Sequence, residues 1–238
     1  ATSGMGKTYG AGVLVEQLLD AGGQVVILDP VGGWYGLRLA ADGQSPGIKI
    51  PVFGGEYADV PIAPSHGAVV ARHLAEQRIS AVLDVSEFID EDDAAFTFLE
   101  SFARSFLVAK RHSRSPVLVV YEECQEYASQ NVTSRAEGRC RAAITRLVKV
   151  GRNHGVGALL ISQRPQEAAK QVLNQATELV AFGMSGRHER DAVKRWITRH
   201  DLDGLDLLEE LPKLEVGQAY VWSPQWLKTC ERVKFGKK

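Results

Sequence analysis

The sequence predicts an α/β layered fold built on a mostly parallel central sheet, and three observations predict it. Short β-branched runs, apolar on both faces, recur along the chain as strands covered by helices must. They are Val25–Leu28, Ala81–Val85, Val117–Tyr121, Ala158–Ile161 and Leu179–Phe182. Segments of helical length and period separate them, which is the alternation of an α/β fold. Several runs also end in carboxylates or glycine-rich turns, as at Leu28-Asp29-Pro30 and Tyr121-Glu122-Glu123.

The first element is a glycine-rich loop opening a helix. The chain begins Ala1-Thr2-Ser3-Gly4-Met5-Gly6-Lys7-Thr8, which fits the P-loop phosphate-binding signature if Ala1 takes the place of a first Gly. Gly4 and Gly6 permit backbone angles that let successive N–H groups point at phosphate oxygens. Lys7 adds a point charge for the β- and γ-phosphates, and the Thr8 hydroxyl is a magnesium ligand in this pattern. The helix predicted from Lys7 to Leu19 puts its positive end at the phosphates. Gly4, Met5, Gly6, Lys7, Thr8 and Tyr9 are the predicted ATP-binding segment. The strand expected before such a loop is absent from the sequence, which points to a fragment or to an upstream part not represented.

The middle of the chain is less defined. Gly43 to Gly67 is rich in Gly and Pro and reads as an irregular excursion, and 40–110 carries no signature. Phe96, Leu99, Phe102, Ala103 and Phe106 fall on one helical stripe and are predicted core. A helix predicted from Ser134 to Val150 buries Cys140, Ala143, Ile144 and Leu147. Its Arg135, Arg139, Arg146 and Lys149 lie within about a quarter of the circumference at ~100° per residue. That basic face could meet phosphates, a neighbouring subunit's acids, or only solvent. Gln218–Trp222 and Trp226–Phe235 form a predicted terminal hairpin within 215–238. The whole of 1–238 is predicted to be one domain.

Bulk properties exclude several classes. The 28 Lys+Arg nearly balance 29 Asp+Glu, so no net basic excess signals a nucleic-acid partner, although a local basic surface is compatible with it. Cys124, Cys140 and Cys230 form no metal-ligand or disulfide pattern. No apolar run approaches the ~20 residues of a membrane span, and no signal peptide opens the chain. The expected setting is cytoplasmic, with no membrane partner.

Three further stretches narrow the reading. Val25-Val26-Ile27-Leu28-Asp29-Pro30-Val31-Gly32-Gly33-Trp34 is a strand ending in a glycine-rich turn. Pro116–Ala128 holds the Glu122-Glu123 pair. Gly151-Arg152-Asn153-His154-Gly155 precedes a strand ending Ser162-Gln163-Arg164-Pro165. In this order, over roughly 1–38 and 116–197, the chain resembles the HerA/FtsK superfamily of ring-forming ATPases, and most of all its HerA-type branch. The resemblance implies a RecA-like core that assembles into a hexameric ring and uses ATP and Mg2+ to move DNA, with a nuclease or other effector as partner.

It also implies residue roles. Glu122 stands where the family has its magnesium-binding Asp, and Glu123 where it has the base that activates water. Gln163 matches the polar sensor of the γ-phosphate. Arg152 matches an arginine presented across a subunit boundary, which can contribute about 10³–10⁵ in rate. Arg164 and Arg187 are weaker candidates for that task. Bland readings stay open: Arg152 as a helix C-terminal cap, Gln163–Pro165 as a polar turn, Asp29 as a cap of its own turn. Trp34 and Tyr35 read as packing or, less simply, as a stacking platform. Counting four strand residues from Val117 would put Tyr121 at the metal position; the flanking anchors instead make Tyr121 a fifth strand residue. The pair then reads as a working but non-standard Walker B site with slower turnover. An oligomeric, ATP-dependent scaffold with slow hydrolysis is the alternative function. A small-molecule phosphotransferase is disfavoured, because a base and an arginine finger suit water as acceptor.

Overall fold

A computed structural model describes residues 4–91, 93–200 and 207–236. In chain order the elements are α1 (Lys7–Asp20), β1 (Gln24–Asp29), β2 (Val52–Phe53), α2 (Gly67–Gln77), β3 (Ala81–Asp84), α3 (Ala94–His112), β4 (Val117–Tyr121), α4 (Arg135–Gly151), β5 (Val156–Leu160), α5 (Lys170–Leu173), β6 (Leu179–Phe182), α6 (Arg187–His200), α7 (Leu207–Glu210), β7 (Gln218–Ser223) and β8 (Thr229–Lys234).

Five strands form one parallel sheet in the order β2-β3-β1-β4-β5. Because side chains alternate across a strand, each strand feeds two cores. Val26 and Leu28 of β1 pack with Val119 and Tyr121 and with the apolar faces of α2, α3 and α4. Val25 and Ile27 face the other way, onto Ala11 and Val15 of α1. Every residue of β1 is therefore buried, which is why its sequence is a near-continuous apolar run rather than an alternating one.

The helices follow their predicted faces closely. Ser134 caps α4, its hydroxyl accepting from the Glu137 N–H at 3.1 Å. Glu137 reaches back to the Thr133 N–H and hydroxyl, a reciprocal arrangement like a capping box shifted by one residue. Cys140, Ala143, Ile144 and Leu147 are buried. On α3 the stripe runs through Phe98, Leu99, Phe102, Ala103 and Phe106, all fully buried. Phe96, expected in that stripe, is only half-buried; Phe98 stacks on Phe102 in its stead.

One strand departs from expectation. Leu179–Phe182 does not join the parallel sheet: β6 pairs antiparallel with β7, which pairs with β8, as a separate three-stranded sheet. Apolarity on both faces marks a buried strand but not the direction of its neighbour, so the run alone could not distinguish the two sheets. The terminal hairpin thus has a third strand. That sheet meets the start of the chain directly. A Cβ on Gly10 would stand 2.6 Å from the Phe182 ring, so a larger residue there would have to displace that ring for α1 to lie against β6. The Gly217 N–H donates to the Met5 carbonyl at 3.1 Å, fixing the glycine-rich loop to β7.

Tyr121 is fully buried at the end of β4, and its hydroxyl finds no hydrogen-bond partner among the described residues. An unpaired buried hydroxyl costs stability. Tyr121→Phe is accordingly expected to stabilise the fold by about 1 kcal/mol, raising the melting temperature by roughly 2–4 °C. Thermal denaturation followed by circular dichroism checks this; a lower melting temperature would contradict it. Among the described residues no helix is long and apolar enough to cross a membrane.

Candidate active site

The C-terminal ends of parallel strands are where ligands bind in open α/β sheets. Here the ends of β1, β4 and β5 and the start of α1 enclose a cavity of about 540 Å3, lined among others by Thr8, Trp34, Glu122, Glu123 and Gln163. Gly4 and Gly6 adopt left-handed backbones, φ 79° and 88°, and α1 starts at Lys7 immediately after. These angles are open to glycine and strained for other residues, so the loop is built as its sequence predicts from Gly4 onward. Ala1, the proposed substitute for the first Gly, lies outside the described residues.

The loop and the β4 carboxylates are brought together. Thr8 Oγ1 donates to Glu122 Oε1 at 3.0 Å, and Lys7 Nζ lies 3.1 Å from Glu123 Oε1 and 4.0 Å from Glu122 Oε1. Both carboxylates are nearly buried. Tyr121 stays inside the strand, and burial pushes its phenol far above the usual range, so it offers no ligand. The carboxylate that faces Thr8 is Glu122.

The two neighbours differ in acidity. Burial pushes the Glu122 carboxyl up, and the Lys7 charge with bonds from Trp34 and Thr8 only partly counters it. Burial also acts on Glu123, but bonds from the Gln125 side chain and the Gln163 N–H, with Lys7, outweigh it and hold Glu123 below the usual range. Environments that separate two carboxylates in this way suit them to different tasks. The oxygens at Thr8 and Glu122 fit Mg2+: they are hard donors side by side, and a buried carboxylate disfavoured as an anion is one that a cation would relieve. Magnesium keeps several waters and needs few protein ligands.

Glu123 is also placed by its main chain. Its φ of 41° and ψ of 54° are left-handed, a region uncommon for non-glycine residues. The turn aims its carboxylate back at Lys7, while Gln125 Nε2 donates to Glu123 Oε2 at 2.7 Å and Ser162 Oγ to Gln125 Oε1 at 2.6 Å. Gln163 comes to the same place, but through its backbone: its N–H donates to Glu123 Oε2 at 3.1 Å.

Other predicted residues lie apart. Tyr9 sits on the exposed side of α1, and Met5 packs against Gly183. Arg152 is exposed at the junction of α4 and β5 and makes no ion pair among the described residues. It precedes β5, whereas Gln163 follows it. With a rise of about 3.3 Å per residue, the five-residue strand separates the two by roughly 13 Å or more. The fold thus does not bring Arg152 to its own chain's carboxylates. Arg164 is engaged by Glu126 and Glu167 at 3.0 Å each. Arg139 pairs with Glu100 at 2.9 Å, while Arg135, Arg146 and Lys149 of the basic face are exposed.

Gln125, Ser162 and Trp34 support the carboxylates although sequence reasoning gave them no part there. Gln125 and Ser162 lie within the stretches Pro116–Ala128 and Ser162–Pro165, but the resemblance assigns neither a role at the carboxylates. Asp29 proves to cap its turn, accepting from the N–H groups of Val31, Gly32 and Trp34 at 2.8–3.0 Å. The turn delivers Trp34, whose indole Nε1 donates to Glu122 Oε2 at 3.0 Å. Tyr35 stacks on Tyr57 with ring centroids 3.9 Å apart. A buried indole N–H usually finds an acceptor, and that tendency was the one available signal for Trp34.

Comparison with known proteins bears on the family and the fold. Over 142 residues the chain is 31% identical to the probable helicase MJECL08 of Methanocaldococcus jannaschii, covering 55% of this chain and 26% of that protein. It is 25% identical over 142 residues to the DNA double-strand break repair helicase HerA of Sulfurisphaera tokodaii, covering 55% and 27%. The chain thus spans about a quarter of the length of these curated relatives. The fold resembles that of the genome packaging NTPase B204 from Sulfolobus turreted icosahedral virus 2, with TM-score 0.60, 13% identity and coverage of 98% and 94%. It also resembles VirB4 of Thermoanaerobacter pseudethanolicus, with TM-score 0.64, 14% identity and coverage of 99% and 87%. The parallel sheet flanked by helices is a RecA-like P-loop fold. The family described as "Helicase HerA, central domain" matches residues 1–190, and the chain belongs to it.

Proposed function

We propose that this chain is the ATP-hydrolysing core of a motor that translocates or unwinds DNA. The observation that carries the reading is the meeting of Lys7 and Thr8 with Glu122 and Glu123, the loop against the paired carboxylates. Lys7 and the loop N–H groups bind the phosphates. Thr8 and Glu122 hold Mg2+, which when bound neutralises charge on the phosphates. Glu123, ionised and aimed by its turn, accepts the proton of the attacking water, and Gln163 senses the γ-phosphate end.

Residues 1–238 act as one ATPase unit in this reading. The position of Arg152 supports a ring, hexameric as in the resemblance, since it lies across the sheet from its own carboxylates and would complete a neighbour's site. DNA is the substrate of movement because curated relatives are named as HerA helicases of double-strand break repair; the exposed Arg135, Arg146 and Lys149 are available for its phosphates. A nuclease or other effector is the proposed partner, in the cytoplasm.

ATP turnover measured with and without duplex and single-stranded DNA tests the reading. Stimulation by DNA is expected; turnover indifferent to every DNA would favour the ATP-dependent scaffold. Mixed assemblies test the shared site. Arg152→Ala should be inactive alone, with ATP turnover reduced about 10³-fold or more. It should regain activity when mixed with Glu123→Gln subunits, because each supplies what the other lacks. Mixtures as inactive as their parents would return Arg152 to a helix-end role.

A further inference from the structure

We infer that Trp34 is a positioning residue for Glu122, holding the carboxylate at the reach its extra methylene demands. The inference rests on the reading of Glu122 as the magnesium ligand. Glu122 is gripped from both sides: Thr8 Oγ1 donates to Oε1 and Trp34 Nε1 to Oε2, each at 3.0 Å. A glutamate side chain has one more rotatable bond than an aspartate, and so one more way to turn its carboxylate away from a metal. Anchoring the far oxygen removes that freedom and leaves the oxygen beside Thr8 facing the site.

The anchor is rigid. Trp34 is 4% exposed and belongs to the core cluster of Val15 and Ile27. Its backbone N–H is held by Asp29 Oδ2 at 2.8 Å, and Asp29 is fully buried at the end of β1. Gly32 within the turn has φ 78°, and a Cβ there would come within 3.2 Å of the Asp84 carboxylate. The chain of support therefore runs from β1 through Asp29 and Trp34 to Glu122, the residue just after β4, and the two strands are paired in parallel. A ligand set by packed second neighbours keeps its geometry before the ligand arrives.

Trp34→Phe keeps most of the ring and removes the N–H. The readout is binding of a fluorescent, non-hydrolysable ATP analogue as Mg2+ is titrated, with ATPase kcat and KM measured alongside. Thermal melting of the nucleotide-free protein checks the fold. The expected result is a half-saturating Mg2+ concentration raised roughly 10- to 100-fold, as for loss of one supporting contact, with binding at saturating Mg2+ near normal. Glu122→Gln and the double variant complete a cycle. Glu122→Gln should shift the Mg2+ dependence further, and adding Trp34→Phe to it should change little. Should Glu122→Gln leave the Mg2+ dependence unmoved, the metal-ligand reading itself falls and this inference with it. Should Glu122→Gln shift it while Trp34→Phe does not, only the positioning role falls. Equal effects of Trp34→Phe with and without Glu122→Gln would likewise overturn it, since Trp34 would then act by another route. If Trp34→Phe melts far below the parent, Trp34→His with its ring N–H provides the second variant; failure of His to restore Mg2+ affinity above Phe overturns the role.

Discussion

Lys7→Ala is expected to lower ATP affinity by roughly 10²–10³-fold, as truncating one partner of a desolvated charge contact does. Without nucleotide, Lys7 is the one cation within 4.0 Å of the β4 carboxylates among the described ion pairs, 3.1 Å from Glu123 and 4.0 Å from Glu122. Its side chain is 13% exposed. Removing it leaves two adjacent, nearly buried carboxylates without their counter-charge, so the nucleotide-free protein should also melt lower. Lys7→Arg separates the two effects: it keeps a cation near Glu123, but its planar fork does not replace a point charge threaded between phosphates. Isothermal titration calorimetry of both variants, beside their melting curves, is the measurement. Tight ATP binding by Lys7→Ala would sink the loop assignment.

Glu123→Gln should separate binding from chemistry. A general base contributes typically 10²–10⁴ in rate, and turnover should fall by that factor while ATP still binds. The sign of any affinity change is also fixed. In the nucleotide-free protein Glu123 competes with phosphate for Lys7, and glutamine releases that hold, so affinity should be equal or tighter. The Gln125 and Gln163 donors can still meet the amide oxygen, which keeps the turn intact. Single-turnover hydrolysis and nucleotide binding by the same preparation give both numbers. Near-normal turnover would remove Glu123 as the activating base.

What was legible in the sequence was local. β1 and β4 are near-continuous apolar runs of the kind a doubly covered strand needs, and their positions follow from that. The α4 boundaries follow from Ser134 at its start and the spacing of Cys140, Ala143, Ile144 and Leu147. The loop from Gly4 to Thr8 carries its conformation in its two glycines. Non-local facts were not legible. The partner of β6 lies about 40 residues ahead in β7, and β2 is too short to show a period. Phe96 and Phe98 are equally apolar, and only packing against Phe88 and Phe102 selects the second. In the site, the loop and the carboxylate pair were each visible. The indole that spans 88 residues to reach Glu122 was not, because Trp34 is indistinguishable from core until its N–H has an acceptor.

The left-handed backbone at Glu123 sets a conflict between durability and work at a single position. Such a conformation costs an L-residue roughly 1–2 kcal/mol, a cost that glycine does not bear. Selection for thermal tolerance alone would drift position 123 toward glycine or asparagine and would end with a sturdier, inert protein. A screen of random variants for heat resistance should therefore recover inactive substitutions at this turn, and their enrichment would measure how much stability the protein forgoes to keep its glutamate aimed.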